Sequence, residues 1–137
     1  MQLQAFSFSM EQKKQNFVIN RIESLKYAFI GAVYLIKTEN AIKVHCVSTI
    51  LLSLLGYFTN ITRTEWMLQF LAIGLVISVE ALNTSIEKIA DFIQPDFDKK
   101  IGTIKDVSAG AVLFAGLFGA VIVAFIYIPK LMLFLSQ

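Results

Sequence analysis

Four polar side chains recur at helical spacing in the second of three apolar stretches of this 137-residue chain. Glu80 comes first, and Asn83, Glu87 and Asp91 follow it three, seven and eleven positions later. Because a helical turn takes about 3.6 residues, the four side chains share one narrow face of the predicted helix. An ionisable group inside an apolar stretch is costly in a bilayer and marks a candidate functional site. We therefore take this face as the candidate active site.

Glu80 and Glu87 are suited to different chemical roles on this face. The neighbours of Glu80 are apolar and include no basic residue, so its carboxylate should be withdrawn from water. Desolvation favours the protonated carboxyl, which suits Glu80 to accept a proton from a substrate hydroxyl. Glu87 lies nearer the polar end, where a carboxylate can bind a hard cation. The alternative is that these polar groups only satisfy one another, and Asp91 and Lys88 fit it best.

A magnesium ion bound to a nucleotide calls for a second carboxylate, and Glu39 at the start of the first apolar stretch is the candidate. Its alternative role is an ion pair with Lys43, four residues later. Lys105 and Asp106 open the third stretch, where Lys105 could meet a phosphate and Asp106 could instead cap the helix. The sequence contains no P-loop, glycine-rich kinase loop or His-Arg-Asp triplet, so nucleotide chemistry here needs another architecture.

The composition is that of a membrane protein. Hydrophobic residues make up 56% of the chain and charged residues 16%, compared with about 45–50% and about 25% in typical soluble domains. A basic, amphipathic pattern near the N-terminus predicts a helix that lies in the membrane interface. Pro95 should end the second span, residues 95–105 should form a polar linker, and Pro129 should mark the far end of the third span. The sequence thus predicts an all-α membrane protein of one domain over residues 1–137, with an interfacial helix at 10–38 and membrane helices at 41–58, 66–94 and 107–128.

The basic residues set the expected orientation. Ten of the twelve Lys and Arg residues precede the first apolar run, which begins at Val44, or lie between the second run, which ends at Leu82, and the third. Only Arg63 and Lys130 lie elsewhere. The positive-inside rule therefore places the N-terminus and the candidate site on the cytoplasmic side.

No basic stripe is interleaved with aromatics, so nucleic acid is not an expected partner. Cys46 is the one cysteine, which excludes a disulfide within the chain, and His45 alone indicates no function.

The run from Glu80 to Lys88, with the sequence EALNTSIEK, resembles the prokaryotic diacylglycerol kinase family, which includes the undecaprenol kinases. Asp91, the pair Lys105-Asp106 and the segment 109–113 extend the likeness, which covers most of the chain from Lys26 onward. The resemblance implies homotrimers of three-span subunits in the bacterial inner membrane, and transfer of the ATP γ-phosphoryl group to a lipid hydroxyl with Mg²⁺. It also implies roles by position: Glu80 as general base, Glu39 and Glu87 as metal–ATP ligands, Asn83 as a polar partner at the substrate, and Arg21, Tyr27, Lys105 and Asp106 as nucleotide contacts.

The sequence leaves open which of two lipids is the substrate, and it also leaves open a second class of protein. The segment from Lys43 to His45, together with Pro95 and the pair Pro129-Lys130, looks more like the undecaprenol branch than the diacylglycerol branch. Two positions depart from the pattern: Asp98 stands where family members often have His, and Ala41 stands where the undecaprenol-type members often have Asn. The alternative from another class is a non-enzymatic membrane protein, such as a transporter subunit or an assembly factor.

Overall fold

The computed structural model describes residues 17–136, and this part of the chain is helical almost throughout. The helices are α1 (Phe17–Thr38), α2 (Asn40–Phe58), α3 (Arg63–Ile93) and α4 (Lys99–Leu135). The all-α class expected from the sequence is therefore confirmed. The chain divides into two compact units between residues 38 and 39, so α1 belongs to one unit and α2–α4 to the other.

The first unit contains α1, a helix of 22 residues. It lies within the interfacial helix expected over residues 10–38, and residues 10–16 of that prediction lie outside the described part of the chain. Large apolar side chains along α1 are exposed, among them Ile22, Leu25 and Phe29. Exposed apolar side chains of this size require an apolar environment that the first unit does not itself supply.

Each helix of the second unit is long and apolar enough to cross a membrane, judged by length and composition. The shortest, α2, has 19 residues, which corresponds to about 28 Å of helix and so nearly matches a hydrocarbon layer of about 30 Å. Bulky apolar side chains cover the outside of all three helices, for example Val44, Leu71, Phe118 and Phe125. A surface this apolar is suited to lipid and would be a liability in water.

Side-chain capping begins α3 at the turn after α2. Thr62 accepts a hydrogen bond from the Glu65 amide at 3.3 Å, and the Glu65 carboxylate accepts one from the Thr62 amide at 2.6 Å, which makes a capping box. Gly56 lets the end of α2 fold closely onto this turn, since a Cβ there would lie 2.8 Å from Ile61 Cδ1. The end of α3 at Ile93, just before Pro95, agrees with the expected stop.

The fourth helix is much longer than the span expected over residues 107–128. Its first turn is capped by Asp98, whose carboxylate accepts hydrogen bonds from the amides of Lys100 at 2.8 Å and Ile101 at 3.0 Å. The expected linker over residues 95–105 is therefore mostly helix, and the alternative that Asp106 caps this helix is wrong. The helix also continues through Pro129 to Leu135. A proline removes one helical hydrogen bond, which membrane helices tolerate better than soluble ones.

The helices of the second unit are joined by one buried polar cluster far from Glu80, formed by Gln69, Tyr127 and the carbonyl of Leu52. The Tyr127 hydroxyl lies 2.6 Å from Gln69 Oε1 and 3.2 Å from the Leu52 carbonyl. Gln69 Nε2 donates to the same carbonyl at 3.3 Å, and Gln69 is 0% exposed. Because each residue comes from a different helix, the cluster fixes how α2, α3 and α4 sit against one another.

Removing the Tyr127 hydroxyl should therefore loosen the three-helix unit. We expect Tyr127→Phe to lower the free energy of unfolding by on the order of 1 kcal/mol, the scale of a hydrogen bond between membrane helices. Thermal unfolding in detergent would measure the change. Tyr57→Phe is the matched control, because Tyr57 is 72% exposed and makes no side-chain hydrogen bond among the described residues. Equal effects of the two variants would contradict a stabilising role for this cluster.

Candidate active site

The polar face predicted on α3 is present, and its first two residues are buried while the later ones are progressively exposed. Glu80 and Asn83 are buried, at 9% and 8% exposure. Glu87 is half-buried and Asp91 is exposed. The face thus runs from an apolar environment to a polar one within three turns, so its groups experience very different degrees of solvation.

Asn83 is the centre of the hydrogen bonding on this face. Its carbonyl oxygen Oδ1 accepts a hydrogen bond from the hydroxyl of Ser108 on α4. Its amide nitrogen Nδ2 donates to Glu87 Oε1 at 3.1 Å. Because both ends of the Asn83 amide are engaged, the amide orientation is set, and the Glu87 carboxylate is held one turn further along α3.

Glu80 has no such partner. Among residues 17–136 its carboxylate makes no hydrogen bond or ion pair, although the residue is buried. The carboxylate oxygens are not sealed off, because no buried side-chain oxygen or nitrogen among the described residues lacks a hydrogen-bond partner, and both are therefore available to an incoming hydroxyl. Of the groups on this face, Glu80 is thus the one best suited to bind and accept a proton.

Two ion pairs surround the outer part of the face and connect it to the neighbouring helices. The Lys105 ammonium lies 2.8 Å from Asp91 Oδ1, which joins α4 to α3, and Glu87 adds a further electrostatic attraction on Lys105. The Lys88 ammonium lies 2.9 Å from Glu39 Oε1, which joins α3 to the residue that precedes α2. Carboxylates and ammonium groups from α3, from α4 and from the residue that caps α2 therefore meet at the same end of the unit.

Glu39 thus has a partner that the sequence did not indicate. The expected alternative was an ion pair with Lys43, whereas the Lys43 ammonium donates to Asn40 Oδ1 at 3.1 Å and Glu39 contacts Lys88. This places Glu39 beside the residue that directly follows Glu87. The two carboxylates expected to bind a metal therefore belong to one end of the helix bundle.

Glu39 and Glu87 could hold Mg²⁺ only together with other ligands. Within residues 17–136 no group of three or more His, Cys, Asp or Glu side chains is arranged to hold a metal ion. Protein Mg²⁺ sites commonly use one or two carboxylates and complete the shell with substrate phosphates and water. The two carboxylates match the donor chemistry of such a site.

The remaining predicted site residues are only partly brought together. Asp106 is exposed and has no hydrogen bond or ion pair within the described chain, although its neighbour Lys105 belongs to the ion-pair network. Arg21 and Tyr27 lie on α1, in the other unit, and their assignment to the site stays a prediction.

Ser108 is a site residue that sequence reasoning missed. It is buried against Asn83, and it follows Lys105 by three positions, so it shares the face of α4 that carries Lys105. This spacing from Lys105 is the feature of the sequence that could have indicated Ser108. From the sequence, Lys88 is expected only to satisfy neighbouring polar groups. In the structure its ammonium instead reaches Glu39, the residue that precedes α2.

Comparisons with known proteins place this arrangement in a family. Residues 26–127 match the model described as prokaryotic diacylglycerol kinase. An undecaprenol kinase from Bacillus subtilis (strain 168) is 31% identical over 123 residues, which cover 89% of this chain and 100% of that protein. A diacylglycerol kinase from Haemophilus influenzae is 30% identical over 94 residues, covering 69% of this chain and 80% of that protein. A diacylglycerol kinase from Synechocystis sp. is 24% identical over 114 residues, covering 82% of this chain and 65% of that protein.

The contact between Ser108 and Asn83 should stabilise the site. In Ser108→Ala the buried Asn83 oxygen loses its donor, and we expect the free energy of unfolding to fall by about 1–3 kcal/mol. Thermal unfolding would measure this. Ser85→Ala is the control, because the exposed Ser85 hydroxyl bonds only to a carbonyl of its own helix at 2.9 Å. A Ser108→Ala variant as stable as Ser85→Ala would show that the contact contributes little.

Proposed function

This chain belongs to the prokaryotic diacylglycerol kinase family and is a multi-pass membrane lipid kinase, and on that premise we propose that it transfers the γ-phosphoryl group of ATP to a lipid hydroxyl. The rival assignment to a non-enzymatic transporter subunit or assembly factor is overturned by the family. The observation that carries the proposal is Glu80, a residue with 9% exposure whose carboxylate has no hydrogen bond or ion pair among residues 17–136, beside a polar chain of Asn83 and Glu87. That is the arrangement a base needs to serve a hydroxyl at membrane depth.

In the proposed reaction Glu80 accepts the proton of the lipid hydroxyl. The lipid oxygen then forms a bond to the γ-phosphorus, and the bond from that phosphorus to the bridging oxygen breaks, so that ADP leaves. Phosphoryl transfer depends chiefly on alignment and charge stabilisation. Because a lipid hydroxyl resides near the membrane surface, the base on α3 can reach it without extracting the lipid from the bilayer.

Glu87 and Glu39 are the proposed ligands for the Mg²⁺ that accompanies ATP, and this ion would supply neutralisation of phosphate charge. Asn83 holds Glu87 in position through its amide, as described above. Lys105, close to Glu87 and Asp91, is placed to bind a phosphate oxygen. Arg21, Tyr27 and Asp106 are proposed nucleotide contacts on the family resemblance alone.

Undecaprenol is the proposed acceptor. The relative named undecaprenol kinase matches along its whole length, and the segment Lys43–His45 resembles that branch. Diacylglycerol is the second candidate, because two further relatives are named diacylglycerol kinase. Purified protein given labelled ATP and each lipid in turn would decide, since label should appear in undecaprenyl phosphate and hardly at all in phosphatidic acid.

We further propose that the chain lies in the bacterial inner membrane as a homotrimer, with its N-terminus and active site in the cytoplasm. The distribution of Lys and Arg supports this orientation. The exposed apolar side chains of α1 support an interfacial position for that helix. The homotrimer is proposed on the family resemblance alone, because the small residues that repeat on α4 include Ala115 and Gly119, which pack within the chain itself.

Replacing Glu80 by Gln should remove the base while keeping the shape of the side chain. We expect phosphate transfer to fall by about 100-fold or more, the usual contribution of a general base. The assay is transfer of labelled phosphate from ATP to lipid, with the oligomeric state checked by light scattering. Glu23→Gln, an exposed position on α1, is the control. Substantial turnover in the Glu80 variant would remove Glu80 from this role.

Replacing Glu87 by Gln should weaken metal binding selectively. A Gln side chain still offers an oxygen to the Asn83 amide, so the hydrogen bond can persist while the charge is lost. We expect the Mg²⁺ concentration for half-maximal activity to rise about tenfold or more, which corresponds to at least about 1.4 kcal/mol. Asp96→Asn, at an exposed position in the turn before α4, is the control. An unchanged magnesium titration would show that Glu87 is not a ligand.

A further inference from the structure

A narrow groove of about 210 Å³ lies between α2, α3 and α4. Its walls include Thr49 and Leu52 from α2, Val76 and Ile77 from α3, and Gly116 and Val123 from α4. It is thus a feature of a single chain, formed within one compact unit. Its polar lining residues are His45, Ser48 and Thr49, and the rest of the lining is aliphatic or glycine, which suits a hydrocarbon ligand.

Two of the glycines of α4, Gly116 and Gly119, line the groove and give it its width. A Cβ added at Gly116 would meet no atom within 4 Å, and one added at Gly119 would lie 3.4 Å from Val76 Cγ2. The hydroxyl of Thr49 donates to the carbonyl of His45 at 2.7 Å, so it needs no polar partner from a ligand. The space beside Gly116 is therefore unfilled, and the Thr49 hydroxyl nearby already has a hydrogen-bond acceptor within the protein.

The groove leads away from the candidate base. Val76 and Ile77 precede Glu80 by four and three positions and so lie on the same side of α3, one turn deeper in the span. From there the lining continues to Leu52 and Val123. The residues from Gly116 to Val123 cover about 10 Å of helix. A lipid with its hydroxyl at Glu80 would thus find an apolar channel just beyond it.

We propose that this groove binds the part of the acceptor's hydrocarbon chain that adjoins its hydroxyl, and that it takes one chain. An apolar cavity of about 150 Å³ holds a benzene molecule. A groove of about 210 Å³ has room for a short run of a single chain and not for two chains side by side. This geometry favours a single-chain polyprenyl alcohol over a diacylglycerol, and the inference rests on the proposed function for its choice of ligand.

Chain binding in the groove would also assist the reaction. Interactions with a non-reacting part of a substrate can be used to orient its reacting group. A chain fixed between α3 and α4 would restrict the hydroxyl to the neighbourhood of Glu80, which raises the effective concentration of the reacting oxygen.

Photolabelling provides a test that does not require turnover. A polyprenyl alcohol with a photoreactive diazirine near its hydroxyl would be added to the full-length protein in detergent, and the labelled peptides mapped. We expect label on the α4 segment around residues 116–123. Gly116→Leu fills the groove without a backbone clash and should reduce that label at least tenfold, with Gly116→Ala intermediate. Unlabelled undecaprenol should compete, and diacylglycerol should compete at least tenfold more weakly.

Gly74→Leu is the matched control, because a Cβ at Gly74 also meets nothing within 4 Å and Gly74 does not line the groove. In kinase assays Gly116→Leu should raise the KM for undecaprenol at least tenfold and leave the KM for ATP unchanged. Full labelling in Gly116→Leu would overturn the proposal, as would a change of oligomeric state that shows the groove to be filled by a second copy. Labelling of the groove in a protein without kinase activity would refute the proposed function and leave the groove assignment standing.

Discussion

The cost of placing a polar group at membrane depth governs this structure. Such a group must find a partner within the protein, because lipid provides none. Gln69 meets this requirement through Tyr127 and the Leu52 carbonyl, and Asn83 meets it through Ser108 and Glu87. The helix packing follows from these contacts, since each set joins different helices.

Glu80 is the exception, and the contrast with Gln69 is informative. Both residues are buried on α3 about three turns apart, yet Gln69 is hydrogen-bonded through its oxygen and its nitrogen, whereas Glu80 has no partner among the described residues. The Glu80 oxygens keep accessible surface, because no buried side-chain oxygen or nitrogen among the described residues lacks a hydrogen-bond partner. The arrangement is understandable if the missing partner is the substrate, whose hydroxyl would complete the hydrogen bonding that the protein leaves open.

The parts of the site that lie within one helix could be predicted from the sequence, and the parts that join helices could not. The spacing of Glu80, Asn83 and Glu87 fixes their common face through helical geometry alone. The contacts of Ser108 with Asn83 and of Lys88 with Glu39 depend on how far the helices slide along one another, which residue spacing does not specify. The length of α4 was underestimated for a local reason: Asp98 and Asp106 both fit the N-cap preference, and the structure uses Asp98.

The ion pairs around the polar face suggest how the site would accommodate a nucleotide. Lys88 and Glu39 have side-chain exposures of 50% and 25%, and Lys105 and Asp91 of 34% and 64%. Pairs this accessible to water contribute about 0–1 kcal/mol each, so their partners can be exchanged at little cost. In the proposed function phosphate would replace Asp91 at Lys105, and Mg²⁺ would replace Lys88 at Glu39. Before ATP binds, the ion pairs would neutralise the charges of these four side chains. When ATP binds, Glu80 and the buried Asn83 amide would keep their positions. The site would thus combine a fixed, buried base with an adaptable, solvated rim, as transfer from a water-soluble nucleotide to a membrane lipid requires.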